Sequence, residues 1–386
     1  HSDKLGQNTK NPNLTIYYGR AAGLFSLLIE FSKYLYENNK KQTPDIVLPY
    51  WTKETCYWDQ GGHAGKKNIF DYYFKLKKTE NIEDYFSILK DQMKSAMELK
   101  SDLEKKIIIN DDYNIKFIRI PEKRFGLTRS NPLDFDFRDF FEIKSNVLKK
   151  VEKFEEENFK GKQILGIHFR GPGHNIEIKR QLINLGYGDD SNSSSEGEIT
   201  AIPYREYFRL INRFIRWNPE LKLFVASDDL NILNRIKRRY PGRVIEYPAF
   251  RTRGGEMHLL KKQNKLPKVS GFKLGEDILI EALLLAKCGI LIHQKSNVSN
   301  FIKVWNKEII TIDALNPTQR ALRGINHNED ILSKNLISSN NYNPKEVVRH
   351  GEYKNLNFKK FYFNEREEVL IGIDTKSNYV IKIELI

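Results

Sequence analysis

Short apolar runs alternate with longer amphipathic stretches along most of this chain. Residues 14–18 read as a strand, 24–36 as a helix with apolar positions three and four apart, and 45–49 as a second strand. That succession predicts a βαβ unit and a parallel sheet. Aromatic and aliphatic positions at helical spacing predict that 69–110 is largely helical, and that 135–158 is one long amphipathic helix between two halves. A second series starts near Gly161. It predicts strands at 164–169, 221–226, 244–247, 289–293 and 309–312, with helices at 204–217, 230–239, 277–286 and 297–304. Residues 170–202, rich in Gly, Asn and Ser, read as a long loop with 191–197 its most mobile part. This alternation is the pattern of a doubly wound α/β sheet. Residues 368–373 and 379–385 read as an antiparallel pair appended at the C-terminal end.

Length and charge narrow the picture. The 386 residues are enough for two domains, and 40% hydrophobic residues are enough for packed cores. Lys and Arg number 64 against 50 Asp and Glu, a net charge of +14 that favours an anionic partner. Basic runs such as Lys149–Lys150 and Lys237–Arg239 lie in helix-like stretches, where a solvated face accounts for them. No aromatic-basic RNP-like strand, helix-turn-helix or zinc finger accompanies the charge, so nucleic acid is not the expected partner. The two cysteines, Cys56 and Cys288, are far apart and outside any CxxC pair. They suggest neither a disulfide framework nor a zinc site, and suit a reducing compartment. The expected location is therefore cytoplasmic, with the lumen of the secretory pathway open if an N-terminal anchor precedes this sequence. No run approaches the roughly 18–20 apolar residues of a membrane span; peripheral contact with a membrane stays open.

Ligands of open α/β sheets sit at the carboxyl ends of the strands, and three such ends carry unusual polar residues. His168 and Arg170 alternate along one strand, so they share a face, and Arg170 precedes a Gly171-Pro172-Gly173 turn. A guanidinium there can grip a diphosphate through two parallel hydrogen bonds, or simply end the strand in a surface ion pair. Val225, Ala226, Ser227, Asp228 and Asp229 form the second end. Asp228 can accept the N1 and N2 protons of a guanine edge, while Asp229 suits the N-cap of the following helix. The third set runs from Gly275 to Asp277 and on to His293, Ser296, Asn297 and Ser299. A helix opening at Ser296 and Asn297 offers N–H groups and a positive dipole end to a phosphate, though the same residues serve simple capping. The turn Gly19, Arg20, Gly23 lacks both the GxGxxG and the GKS/T pattern, so it is either a plain strand-to-helix turn or a small-residue lining with one cation.

In order and spacing this set resembles the fucosyltransferase superfamily of nodulation and core α1,6-fucosyltransferases, with protein O-fucosyltransferases as distant relatives. The resemblance covers 160–305 well and the N-terminal half weakly. Where that family has His-x-Arg-Arg-x-Asp, this chain has His168-Phe169-Arg170-Gly171-Pro172-Gly173. The family's second motif matches Val225 to Asp229, its phosphate-holding serine turn matches Ser296 and Asn297, and its glycine turn matches Gly19 to Leu27. The resemblance implies a GT-B-like fold: two Rossmann-like domains facing a cleft, with a C-terminal β appendage. The expected boundaries are 1–158 for the acceptor-side domain, 159–330 for the nucleotide-sugar domain and 331–386 for the extension.

It further implies an inverting transfer of fucose from GDP-fucose to a glycan hydroxyl, with no metal and no separate cofactor. Arg170 would hold the β-phosphate, His168 the phosphates or ribose, Asp228 the guanine, and Ser296 and Asn297 the remaining phosphate contacts. Gly19, Arg20, Gly23, Val225 and Ala226 would line the donor. The family's second Arg and its Asp are replaced by Gly171 and Gly173. The diphosphate is then left to Arg170, to helix N-termini, and to Arg251 or Arg253 as further candidates. Glu177 is the expected general base, with Glu256, Asp59 and His63 as rivals. The alternative reading is an inactive relative that binds a nucleotide or glycan without turnover.

Overall fold

The computed structural model describes residues 13–19, 22–42, 44–52, 55–78, 106–109, 114–119, 135–170, 204–252, 269–294, 296–314, 346–348, 358–364, 369–374 and 380–384. In chain order the first elements are β1 (Asn13–Tyr18), α1 (Leu24–Asn39), β2 (Ile46–Tyr50), α2 (Phe70–Tyr73), β3 (Phe74–Leu76), β4 (Lys106–Ile109), β5 (Asn114–Arg119) and β6 (Phe141–Ile143). Then come α3 (Ser145–Asn158), β7 (Ile164–His168), α4 (Tyr204–Trp217), β8 (Lys222–Ala226), α5 (Leu230–Arg239) and β9 (Val244–Ile245). They are followed by α6 (Gly271–Lys287), β10 (Ile290–His293), α7 (Asn297–Trp305), β11 (Ile310–Asp313), β12 (Glu346–Val348), β13 (Phe358–Asn364), β14 (Val369–Asp374) and β15 (Val380–Glu384). None of the described helices is long and apolar enough to cross a membrane.

Two compact units emerge: residues 1–125, 135–147 and 267–276 form the first, and 126–134, 148–266 and 277–386 the second. In the first unit the sheet order is β2-β1-β5-β4, parallel except for the β4–β5 pair. Its core is aromatic. Phe31, Trp51, Phe70, Phe74 and Phe141 are buried, with ring centroids 5.1–6.1 Å apart in mostly edge-to-face contacts.

The second unit carries a five-stranded, all-parallel sheet in the order β11-β10-β7-β8-β9. Numbered from its own first strand, that is the 3-2-1-4-5 order of a Rossmann-type sheet. Successive strand residues point to opposite faces. Leu165, Ile167, Phe169, Leu223, Val225, Ile292 and Ile312 pack on one face with α4 and α5. On the other, Phe224 meets Phe154 and Phe159 at 6.1 and 5.2 Å, and a Cβ on Gly166 would lie 3.1 Å from Cys288. A further sheet, β12-β15-β14-β13, contains the antiparallel β14–β15 pair expected near the C-terminal end. The fold is thus α/β, with a mixed, mostly parallel sheet in the first unit and an all-parallel sheet in the second.

Three expectations need correction. Within 69–110, Phe74–Leu76 and Lys106–Ile109 are strands, not helix. Within 135–158 the helix starts only at Ser145, because Phe141–Ile143 pairs antiparallel with Phe74–Leu76. The helix expected from Asp277 begins at Gly271, because Asp59 caps it: its carboxylate accepts the N–H of Gly271, and that of Phe272 at 2.9 Å.

Candidate functional site

Strand β7 is where the second sheet reverses its order, with β8 on one side and β10 on the other. The crevice beyond the carboxyl ends at such a switch point is where open α/β sheets take ligands. His168 and His293 end these two strands as register partners. The row continues to Asp313 on β11 and Ala226 on β8. Residues in register share a face, so these four lie opposite the α4–α5 core.

His168 is buried, and among the described residues its Nδ1 has no hydrogen-bond partner. Burial first, and the nearby Arg170 charge second, push its imidazole down to about 3, so it is neutral at ordinary pH. The strand tip that carries it is firmly held. Phe169 turns to the other face and stacks on Tyr207 at 4.1 Å, its N–H donates to the Ala226 carbonyl at 2.9 Å, and the Tyr207 hydroxyl donates to the His168 carbonyl at 3.2 Å. Arg170, just past this tip, is partly exposed. A polar nitrogen buried beside a cation at a switch point suits an anionic, hydrogen-bonding ligand.

At the end of β8, Val225 points into the apolar core, whereas Ala226 lies on the His168 face. Asp229 is the N-cap of α5: its carboxylate accepts the Asn231 N–H at 2.8 Å. Burial raises its carboxyl above the usual range, opposed by hydrogen bonds from the Asn231 and Ile232 backbone. Asp228 is partly buried, and its carbonyl accepts both the N–H and the hydroxyl of Thr252, at 2.8 and 3.1 Å. Arg251, a candidate for the diphosphate, is committed elsewhere. Its guanidinium meets the Glu281 carboxylate at 2.6 Å, with both side chains buried.

Beyond β10, Ser296 and Ser299 form a reciprocal capping box at the start of α7. The Ser299 N–H donates to Ser296 Oγ at 3.2 Å, and the Ser296 N–H to Ser299 Oγ at 2.9 Å. The Ser296 hydroxyl therefore serves first as a cap, and Asn297 is the first helical residue, partly exposed. This fixes the N-terminus of α7 next to the end of β10, with its partial positive charge toward the carboxyl edge of the sheet.

In the first unit, Gly19 donates its N–H to the Tyr50 carbonyl at 2.9 Å, and a Cβ there would lie 3.0 Å from the Trp51 ring. Close packing thus accounts for that glycine. Gly23 is the N-cap of α1 with φ −66°, a conformation open to any residue. Asp59 is corrected as a rival base, since both its oxygens cap α6. His63 stacks on Phe272 at 3.5 Å. Arg20, Glu177, Arg253 and Glu256 lie outside the described residues.

The structure therefore brings His168, Arg170 and the α7 N-terminus to one switch point, with Asp228 at the end of the adjacent strand. Sequence reasoning treated His293 only as a strand terminus and missed the Arg251–Glu281 pair. A polar residue ending each of two strands, His168 and His293, was the available signal for the first.

No family model matches this chain, and no curated protein does. Solved structures do. NodZ alpha-1,6-fucosyltransferase soaked with GDP-fucose is 14% identical, over 80% of this chain and 96% of that one, with TM-score 0.39. Fucosyltransferase NodZ from Bradyrhizobium is 14% identical over 76% and 92%, with TM-score 0.37. POFUT1 in complex with GDP is 10% identical over 77% and 95%, with TM-score 0.41. Over most of their length, the solved structures to which this chain is similar include fucosyltransferases of these two kinds.

Proposed function

We propose that this protein is an inverting, metal-independent glycosyltransferase that moves a sugar from a GDP-sugar to a hydroxyl of a glycan acceptor, with fucose the specific candidate. The observation that carries the reading is the switch point of the second unit. There a buried imidazole nitrogen without a described partner ends β7 beside β10, the Arg170 charge acts on it, and α7 begins just after β10. The choice of a guanine nucleotide and of fucose rests on the order of the motifs at 168–173, 225–229 and 296–297.

In such a transfer the acceptor oxygen attacks the anomeric carbon from the face opposite the diphosphate. The new C–O bond forms as the bond to the β-phosphate oxygen breaks, the electron pair leaves with GDP, and the acceptor proton passes to a base. Negative charge grows on the leaving diphosphate. A fixed guanidinium and a helix N-terminus beside it stabilise the transition state more than the ground state. Neutral His168 can donate one hydrogen bond to a phosphate or ribose oxygen without itself changing charge. Asp228, one strand away, would accept the guanine N–H groups. Glu177 is the proposed base, on the strength of its spacing from Arg170.

Arg170→Ala tests the reading. GDP-sugar turnover should fall by about 10²–10³-fold, as when one preorganised transition-state donor is removed, with the melting temperature unchanged. A folded variant with undiminished turnover would overturn the role given to this cation. A thermal-shift panel of GDP, UDP, ADP and CMP should show a shift selective for GDP.

A further inference from the structure

The Arg251 side chain is 5% exposed and that of its partner Glu281 10% exposed, with Nη2 2.6 Å from Glu281 Oε1. Nη2 also donates to the Tyr247 carbonyl at 3.1 Å, and Nη1 donates to the Ser227 carbonyl. One planar fork thus ties helix α6, the segment after β9 and the turn after β8 together. The residues around it repeat the tie. Thr252 donates its N–H and hydroxyl to the Asp228 carbonyl and accepts the Leu230 N–H at 2.8 Å. The Phe250 N–H donates to Asp277 Oδ2 at 3.1 Å, one helical turn before Glu281.

Stability alone explains this pair poorly. Taking two charges out of water commonly costs as much as their attraction returns, and apolar residues of similar volume often serve as well. Burial pushes the Glu281 carboxyl up to about 7, with Arg251 opposing the rise and Asp277 and Asp228 adding to it. Besides Glu281, the fork donates to the carbonyl of Tyr247 and to that of Ser227, the residue that leads into Asp228.

We propose that Arg251, anchored by Glu281, is a positioning residue that sets the Ser227–Asp228 turn for base recognition and so governs the preference for guanine over adenine without touching the nucleotide. The inference rests on the GDP-sugar reading above. A guanine edge presents adjacent N1 and N2 donors, which a well-aimed carboxylate can accept together; adenine lacks that pair. A shift of the Asp228 backbone should cost guanine affinity and leave the adenine nucleotide unaffected.

The test is calorimetric titration of the full chain with GDP and with ADP. Three variants are compared: Arg251→Met/Glu281→Leu, Arg251→Lys and Glu281→Gln. The double variant should melt near the wild-type temperature yet bind GDP at least about tenfold more weakly, a difference of about 1.4 kcal/mol, with ADP affinity unchanged. Arg251→Lys, which cannot reproduce the fork, should move the GDP-to-ADP ratio in the same direction. Glu281→Gln keeps an acceptor for Arg251 and should retain the wild-type ratio. If the double variant does not fold, the contrast between the two single variants decides. A ratio unchanged in folded Arg251→Lys would overturn the positioning role alone. A wild-type chain with no preference for GDP would overturn the donor reading and this inference with it.

Discussion

Acidification from pH 7.5 to 5 should remove about 2 kcal/mol of the stability that His168 contributes to the fold, because the unfolded chain takes up a proton there. In the folded chain its imidazole is held down to about 3 by burial, helped by Arg170; in an unfolded chain it titrates near ~6.5. Between those values the unfolded state binds more protons, so stability falls as pH falls. The contribution is complete above about 6.5 and is lost progressively toward 3. At pH 5 the unfolded imidazole has gained about 1.5 units of protonation free energy, at 1.36 kcal/mol per unit. Glu281, raised to about 7, acts with the opposite sign. Between about 4.3 and 7 its native form binds the extra proton, so acidification through that window adds stability. The wild-type curve alone therefore flattens, and the comparison must be with His168→Gln. The gap between the two urea-denaturation stabilities should change by about 2 kcal/mol from pH 7.5 to 5. NMR titration reads the site directly: the His168 ring signals should stay fixed across that range. Ring signals that titrate near 6.5 in the folded protein, or parallel stability curves, would refute the reasoning.

Three further outcomes follow from particular residues. Gly275→Ala lies inside α6, where Ala is ordinarily favoured by about 1 kcal/mol, but its Cβ would come within 2.2 Å of the Tyr73 hydroxyl. The sign should reverse, to a loss of about 1–3 kcal/mol, partly recovered in a Gly275→Ala/Tyr73→Phe double variant; a stabilised single variant in thermal melts would contradict this. Asp229→Ala removes the α5 cap. It should lower the melting temperature by about 2–4 °C, the equivalent of about 1 kcal/mol, with GDP affinity intact. Asp228→Ala should do the reverse, losing GDP binding in calorimetry with little change in melting.

Local pattern was enough for most of the second unit. The apolar runs at 164–168, 222–226 and 290–293 and the helices between them are recognisable because side-chain alternation and helical period are properties of neighbouring residues. The same is true of the Asp229 and Ser296 caps, which bind groups two or three residues away. Where a segment's state depends on a distant partner, pattern failed. Phe74–Leu76 and Phe141–Ile143 carry aromatics at spacings that suit a helix, and become strands only by pairing with each other. Helix α6 starts at Gly271 because the Asp59 carboxylate, 212 positions earlier, caps it.

The candidate site divides along the same line. The sequence by itself determined that polar residues end several buried strands, since a strand's last residue is set by the run before it. Only the tertiary structure decided that β7 lies beside β10, which places His168 against His293, and that Arg251 is taken by Glu281. Strand order and the pairing of buried charges depend on which surfaces can be removed from water together. That is a property of the packed chain, which no local window of residues encodes.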